Sequence, residues 1–406
     1  MKIDDIQLRI ISDSRGDKTL EVDLILEGQE ALASVASGKS KGRGEAFVLD
    51  PELALNKLKE IKPELEKDFS SLEEFDNFLI KLDGTSEKKN LGGNLILALS
   101  IAFAKAWAKL QNLQTFQLIA QISKQDIKFP FCFFNLIEGG VHAQFIPGKK
   151  GLPFQEYLFI PKTNSPEQSL KQVNMMIRLL GSEIKKRYGE LQQADEGGFI
   201  VPSKDQNPEI GLKILKEVFS KLLLKDPKIN PAGLGLDVAA SSFYIDGNYL
   251  IGSKAMKMND LLSCYKQLSA DYELFSIEDP FAEDDWRGFI AATKELGKEV
   301  WIIADDLTTT NVESIRLAQK RKAANAVIIK LNQIGSVTET IAATVLAKSY
   351  GWKIVVSHRS GETFDTFIAD LAVGLGADGL KSGCPLQKER LVKYQRLIEI
   401  ERICQT

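Results

Sequence analysis

A chain of 406 residues, 44% hydrophobic and 26% charged, has the make-up of a globular protein, and its length suggests two domains rather than one typical core. A net charge of −3 leaves no basic footprint for nucleic acid. No apolar run approaches about 18 residues, so no membrane span is expected, and the opening Met1-Lys2-Ile3-Asp4-Asp5 lacks the apolar core of a signal peptide.

In chain order, Ile6 to Ile11 and Leu20 to Leu26 alternate apolar and polar residues around the turn Asp13-Ser14-Arg15-Gly16-Asp17, which predicts a hairpin. A third run, Ala31 to Val35, leads into a loop of small residues, Ser37-Gly38-Lys39-Ser40-Lys41-Gly42. Helical periodicity covers Pro51 to Leu65, Ser71 to Leu82 and Leu91 to Leu110, the last rich in Ala and Leu and expected to be buried. These elements predict an α+β domain, a β-meander plus helices, over residues 1–123. From Lys128 the order becomes strand, loop, helix, repeated. Runs end at Asn135 and Ile160, and helices are predicted over Pro166 to Tyr188 and Pro208 to Leu224. Further strand ends follow at Asp237, Glu278, Asp305, Lys330, His358 and Lys381, with helices such as Val337 to Ser349 and Thr366 to Leu375 between them. Such alternation predicts parallel strands, and eight of them in about 280 residues is the size of a closed β/α barrel. The fold class is α/β, with the barrel over 128–406.

In such a barrel the active site lies at the C-terminal strand ends, where these charged residues fall. Asp237, Glu278 and Asp305 close three successive apolar runs. Any one of them could cap a helix or pair with a lysine. Three at equivalent positions, with acidic neighbours Asp279 and Asp306, make a concentration of negative charge that a divalent cation would offset, and all-oxygen ligands favour Mg2+ over zinc or copper. Lys330 and Lys381 end later strands, as ion-pair partners or, for Lys330, as a base whose pKa burial lowers. Ser357-His358-Arg359-Ser360-Gly361-Glu362-Thr363 offers a guanidinium, a hydroxyl and free N–H groups to a phosphate. Asp195-Glu196-Gly197-Gly198 can turn sharply and present Glu196, or be a plain acidic turn. Gly139-Gly140-Val141-His142 and Gln155-Glu156 form a similar pair. The only histidines, His142 and His358, are too few for a multi-histidine zinc site, and Cys132, Cys264, Cys384 and Cys404 read as reduced thiols of a cytoplasmic protein.

With these residues assembled, the chain resembles the enolases over nearly its whole length. The resemblance rests on Asp13-Ser14-Arg15-Gly16, Leu82-Asp83-Gly84-Thr85, Asp195-Glu196-Gly197-Gly198, Leu236-Asp237-Val238-Ala239-Ala240-Ser241, Ser276-Ile277-Glu278-Asp279-Pro280, Ile329-Lys330-Leu331-Asn332-Gln333-Ile334-Gly335 and, most specifically, Ser357-His358-Arg359-Ser360-Gly361-Glu362. It implies a lyase of glycolysis and gluconeogenesis that interconverts 2-phosphoglycerate and phosphoenolpyruvate with two Mg2+ ions. Asp237, Glu278 and Asp305 would hold one ion, and Ser40 would help hold the second. Lys330 would take the C2 proton, and Glu196 with Glu156 would protonate the leaving hydroxyl. Lys381 would contact the carboxylate side of the substrate, Arg359 and Ser360 its phosphate, and His142 and His358 would line the closed site. It also implies a homodimer or higher homo-oligomer, with a surface or secreted fraction possible as for other enolases.

The chain departs from the family pattern at several points. Lys39 and Lys41 stand in the loop of small residues, and Asp17-Lys18 in the first turn. Glu138 replaces the usual asparagine, where it could raise the pKa of His142. The segment between His142 and Glu156 is longer and contains Gly148-Lys149-Lys150-Gly151, the segment after Glu45-Ala46 is shorter, and Gln387-Lys388 departs near the end. The other readings are an acid dehydratase or racemase on the same scaffold, and a non-catalytic scaffold or surface-binding protein.

Overall fold

The Asp13 carboxylate closes the first hairpin by accepting the backbone N–H groups of Arg15 and Asp17 at 2.8 and 3.0 Å, while Gly16 takes a φ of 85°. β1 (Ile3–Ser12) thereby pairs antiparallel with β2 (Lys18–Leu26), and β2 with β3 (Gln29–Ser34), in the meander order β1-β2-β3. The computed structural model describes residues 1–38, 42–143 and 151–405. Ser40, the expected ligand of a second ion, therefore lies outside the described residues, as do Lys39, Lys41 and most of the longer loop after His142.

α1 (Pro51–Ile61) starts where Asp50 accepts from the N–H groups of Glu52 and Leu53. The predicted run to Leu65 finishes as a 3-10 turn, Lys62–Leu65, because Pro63 has no N–H to continue the ladder. α2 (Leu72–Asp83) runs from its Ser71 cap to Gly84 at φ 70°. α3 (Gly93–Leu110) packs on β2 and β3, whose inner face includes Leu20, Val22 and Leu24, and α4 (Thr115–Ser123) follows. By length and composition α3 could cross a membrane, against the expectation of no such stretch, yet 78% of it is buried inside the fold. Its Leu95, Leu97 and Leu99 each contribute about 1.5–3 kcal/mol by burial.

The second half comprises β4 (Phe131–Glu138), β5 (Glu156–Pro161), α5 (Pro166–Tyr188), β6 (Phe199–Ile200), α6 (Glu209–Lys225), β7 (Ala232–Asp237), and a small meander of β8 (Tyr244–Ile245), β9 (Asn248–Ile251) and β10 (Lys254–Met256). α7 (Met258–Tyr272), β11 (Leu274–Glu278), α8 (Trp286–Leu296), β12 (Trp301–Ala304), α9 (Val312–Arg321) and β13 (Ala326–Ile329) come next. The chain ends with α10 (Leu331–Ile334), α11 (Val337–Ser349), β14 (Lys353–Ser357), α12 (Phe367–Gly374), β15 (Gly379–Lys381) and α13 (Lys388–Gln405). Eight strands close a barrel in the order β4, β5, β7, β11, β12, β13, β14, β15, with β15 returning to β4.

One strand breaks the expected parallel pattern. β5 runs antiparallel to both β4 and β7. The end of β5 that faces the site is therefore its start, and Glu156 there pairs with Asp237 at the end of β7.

Side chains alternate along each strand. Phe133, Leu158, Ile160, Ile303, Ala326, Ile328 and Val355 fill the lumen, stacked against Phe131, Phe275 and Trp301. The next inward position on each strand holds a polar residue: Asn135, Glu156, Asp237, Glu278, Asp305, Lys330, Ser357 and Lys381. An apolar plug below thus supports a polar layer above, with one residue from each strand.

Candidate active site

Lys381 sits at the centre of that layer. Its ammonium donates to Asp237 Oδ2 at 2.9 Å and to both Glu278 oxygens at 2.7 and 2.8 Å, and lies 3.4 Å from Glu156 Oε2. The Lys330 ammonium donates to Asp305 Oδ2, whose other oxygen accepts from Gln333 Nε2 at 2.8 Å. Thr310 Oγ1 accepts the Lys330 backbone N–H at 2.9 Å, which fixes the strand end. Asp279 accepts the N–H groups of Asp305 and Asp306, both at 2.9 Å, so an acid that sequence reasoning treated only as a neighbour orients the loop after β12.

Across the barrel, Glu196 Oε2 accepts from Asn135 Nδ2 at 3.2 Å and lies 3.2 Å from His358 Nε2. His358 Nδ1 is 2.5 Å from Arg390 Nη1. Arginine can only donate, so Nδ1 accepts, Nε2 carries the proton, and His358 donates to Glu196. Arg390 also donates to the carbonyls of Arg359 and Ser360 at 2.6 and 2.8 Å. It went unnoticed in the sequence because α13 reads as a charged outer helix.

The phosphate-type segment is already engaged from the first half of the chain. Arg359 Nη1 donates to Glu45 Oε2 at 2.9 Å. Ser360 Oγ accepts from Arg15 Nη1 at 3.1 Å, and Ser37 Oγ accepts from Arg15 Nη2 at 3.2 Å. A Cβ on Gly38 would lie 1.9 Å from Arg359 Nη2, so any larger residue there would have to displace the guanidinium. Neither Glu45 nor Arg15 was expected in the site: Arg15 was read only as part of the first turn and its motif, and their partners Arg359 and Ser360 are more than 300 residues away. Together these walls enclose a cavity of 270 Å3, reached by Gly38, Glu45, Gln155, Glu156, Glu196, Asp237, Asp305, Lys330, Arg359, Ser360 and Lys381 among others. The expected site residues that are described all lie in this polar layer or in the loops bordering it.

Burial and the neighbouring Asp237 push Glu278 well up despite Lys381. Burial likewise pushes Glu156 well up, with Lys381 opposing, whereas Glu196 is held well down because His358 and His142 override its burial. Two carboxyls whose oxygens lie within 4.8 Å of one another are thus driven in opposite directions, Glu156 up and Glu196 down. His358 is pushed down to about 4 by burial, Arg390 reinforcing this and Glu196 opposing it. His142 is raised: burial lowers it, but Glu196 and Glu138 prevail, which agrees with the expectation for Glu138. Lys330 reverses its expectation. Burial lowers its pKa, but contact with Asp305 outweighs burial and the net direction is upward.

The sequence family described as the enolase C-terminal TIM barrel domain matches residues 126–405, and the enolase N-terminal domain matches residues 3–119. This chain belongs to the enolase family. A curated enolase of Solanum lycopersicum is 39% identical over 431 aligned residues, covering 98% of this chain and 95% of the relative. An enolase of Pyrococcus furiosus is 38% identical, covering 97% and 93%, and one of Methanocaldococcus jannaschii 39%, covering 99% and 95%. The chain is therefore an enolase-type enzyme, a lyase acting on a small molecule, and enolases depend on a metal.

The enolase site here fits a hard divalent cation. Asp279, Asp305 and Asp306 offer it oxygens only, one each within 4.8 Å of one another, whereas the clusters Glu138, His142, Glu196 and Glu156, Glu196, His358 each add a histidine nitrogen; the expected trio Asp237, Glu278 and Asp305 does not form such a cluster among the described residues. Burial and Asp305 push Asp306 up to about 7. Glu156 Oε2 is buried without a hydrogen bond. Lys381 and Lys330 lie between the carboxylates of Asp237, Glu278 and Asp305, so the negative charge awaiting a cation is partly met by ammonium groups.

Proposed function

We propose that this enolase site interconverts 2-phospho-D-glycerate and phosphoenolpyruvate with Mg2+, two ions per site, using Asp237, Glu278 and Asp305 as ligands of one. The observation that carries the reading is the strand order. Lys330 follows β13 and Glu156 begins β5, four strands away in either direction around eight, so base and acid stand on opposite walls. That placement suits removal of a proton from one face of the substrate and departure of hydroxide from the other.

Lys330 takes the C2 proton, and the Glu156–Glu196 pair, holding one proton between them, delivers it to the leaving 3-hydroxyl. His358, neutral and donating through Nε2, keeps the second carboxylate of the pair ionised. Arg359 and Ser360 bind the phosphate, with Glu45 and Arg15 orienting them; His142 and His358 line the acid side. Lys381 faces the substrate carboxylate and offsets the second negative charge that grows on it. Asp237, Glu278 and Asp305 would hold the divalent cation, which would supply further compensation for the charge that grows on the substrate.

The test is phosphoenolpyruvate formation followed by ultraviolet absorbance, with Mg2+ and with chelator, beside Lys330→Ala. Mg2+-dependent turnover that disappears in the variant is the expected result. A folded, metal-loaded wild type with no turnover would overturn the reading and favour a different acid substrate or a scaffold role. We further propose a homodimer, to be tested by light-scattering mass in solution. The free thiols of Cys132, Cys264, Cys384 and Cys404 support a cytoplasmic location.

A further inference from the structure

Glu138 ends β4 and is fully buried, just before Gly139-Gly140. Both of its oxygens are engaged. Oε1 accepts the N–H of Gly198 at 2.6 Å, and Oε2 accepts that of Glu196 at 3.3 Å and lies 3.2 Å from Nδ1 of His142. The turn that presents Glu196 is closed by its own backbone, with Ala194 donating to the Gly198 carbonyl at 2.9 Å and Gly197 at φ 86°. Gly198 has no space for a side chain, because a Cβ there would lie 2.9 Å from Glu138 Oε1 and 3.1 Å from the Asn135 carbonyl. One carboxylate therefore reaches the backbone on either side of Gly197. An amide at the same position has a single acceptor oxygen and would turn its NH2 toward one of those N–H groups or toward His142.

We propose that Glu138 is a positioning residue for the acid half of the reaction: it locks the turn that aims Glu196 and, through His142, completes the ring of groups around that carboxylate. The inference rests on the reading of Glu196 and Glu156 as the acid pair. Among the described residues, the charged and titratable groups facing Glu196 are Glu138 on β4, His142 just beyond it, Glu156 on β5, His358 after β14 and Arg390 on α13. Glu138 touches none of the base side, since Lys330 and Asp305 lie across the barrel. A fault at position 138 should therefore leave removal of the C2 proton intact and impair only proton delivery to the leaving hydroxyl. The carbanion formed by Lys330 would then regain a proton at C2 instead of losing hydroxide.

The experiment compares wild type with Glu138→Gln, following two rates from 2-phosphoglycerate in D2O: phosphoenolpyruvate formation and replacement of the C2 hydrogen by deuterium in recovered substrate. Dehydration is expected to fall by about 10- to 100-fold, with C2 exchange and KM each within about three-fold of wild type. The ratio of exchange to dehydration then rises about ten-fold or more, and that ratio does not depend on how much of the variant is folded. An unchanged ratio, whether both rates fall together or neither does, overturns the positioning role while leaving the parent reading in place. A wild type that forms no phosphoenolpyruvate defeats the parent reading itself, and this inference with it.

Discussion

Replacing Lys381 by Met keeps most of the stem and removes the one ammonium shared by Asp237, Glu278 and Glu156. The four side chains are between 1% and 6% exposed, so water cannot take over the lost contacts of 2.9, 2.7 and 3.4 Å. Breaking a buried ion cluster from one side costs about 3–5 kcal/mol. Burial already pushes Glu278 and Glu156 well up, so proton uptake can relieve part of the uncompensated charge, which holds the loss near the lower end, about 3 kcal/mol. The sign follows from those raised values. Stability tied to the protonated carboxyls is present in acid and lost as pH rises through their folded-state pKa, so the penalty of Lys381→Met grows with pH. Denaturation midpoints in chelator, compared with wild type between about pH 5 and pH 8, measure it. Turnover should be lost as well. A variant as stable as wild type in chelator would refute the reasoning.

Three further outcomes are expected. Asp76 on α2 is buried, accepts from Thr338 N and Oγ1 at 2.9 and 2.7 Å, and is pushed up from 3.8 to about 6 by burial, against those hydrogen bonds. Its protonated form is the stable one, so Asp76→Asn should gain up to about 3 kcal/mol over wild type at pH 7 and nothing near pH 4, and a gain independent of pH in denaturant titrations would contradict this. With only two histidines in the chain, imidazole NMR in the metal-free protein should show one ring titrating near 4 (His358) and one above 6.5 (His142); two rings titrating together would contradict the tautomer and ion-pair assignments. A Cβ on Gly361 would lie 2.0 Å from Asp13 Oδ2 and 2.4 Å from Ser37 Oγ, where the two backbones bond each other at 2.7 and 2.9 Å. Gly361→Ala should therefore cost about 1–3 kcal/mol and raise KM as Arg359 and Ser360 shift, and an unchanged KM would argue against that coupling.

Reading residues in order was enough to find most of the polar layer, because in a parallel barrel the strand's last inward position is also the position at which an apolar run ends. Asp237, Glu278, Asp305, Lys330 and Lys381 were legible for that reason. Glu156 was singled out with Gln155 as a possible site pair, but its role came only through the family resemblance, since it begins an antiparallel strand and no apolar run ends at it. Arg390 and Glu45 were illegible: one lies on a helix of ordinary charged composition and the other in a loop, and each meets the site only because the chain folds back across hundreds of residues. The direction of the Lys330 shift could not be read either. Burial and proximity act on it with opposite signs, and the winner depends on the contact with Asp305.

By itself the sequence determined the alternation of strands and helices, the family, and the residue types that end each strand, because these follow from local periodicity and short motifs. The tertiary structure alone decided which wall each group occupies, that Lys330 and Glu156 face each other four strands apart, and in which direction each of two neighbouring carboxyls is shifted. Those outcomes depend on distances between residues remote in the chain and on how much water is excluded around each charge, and neither quantity exists before the barrel closes.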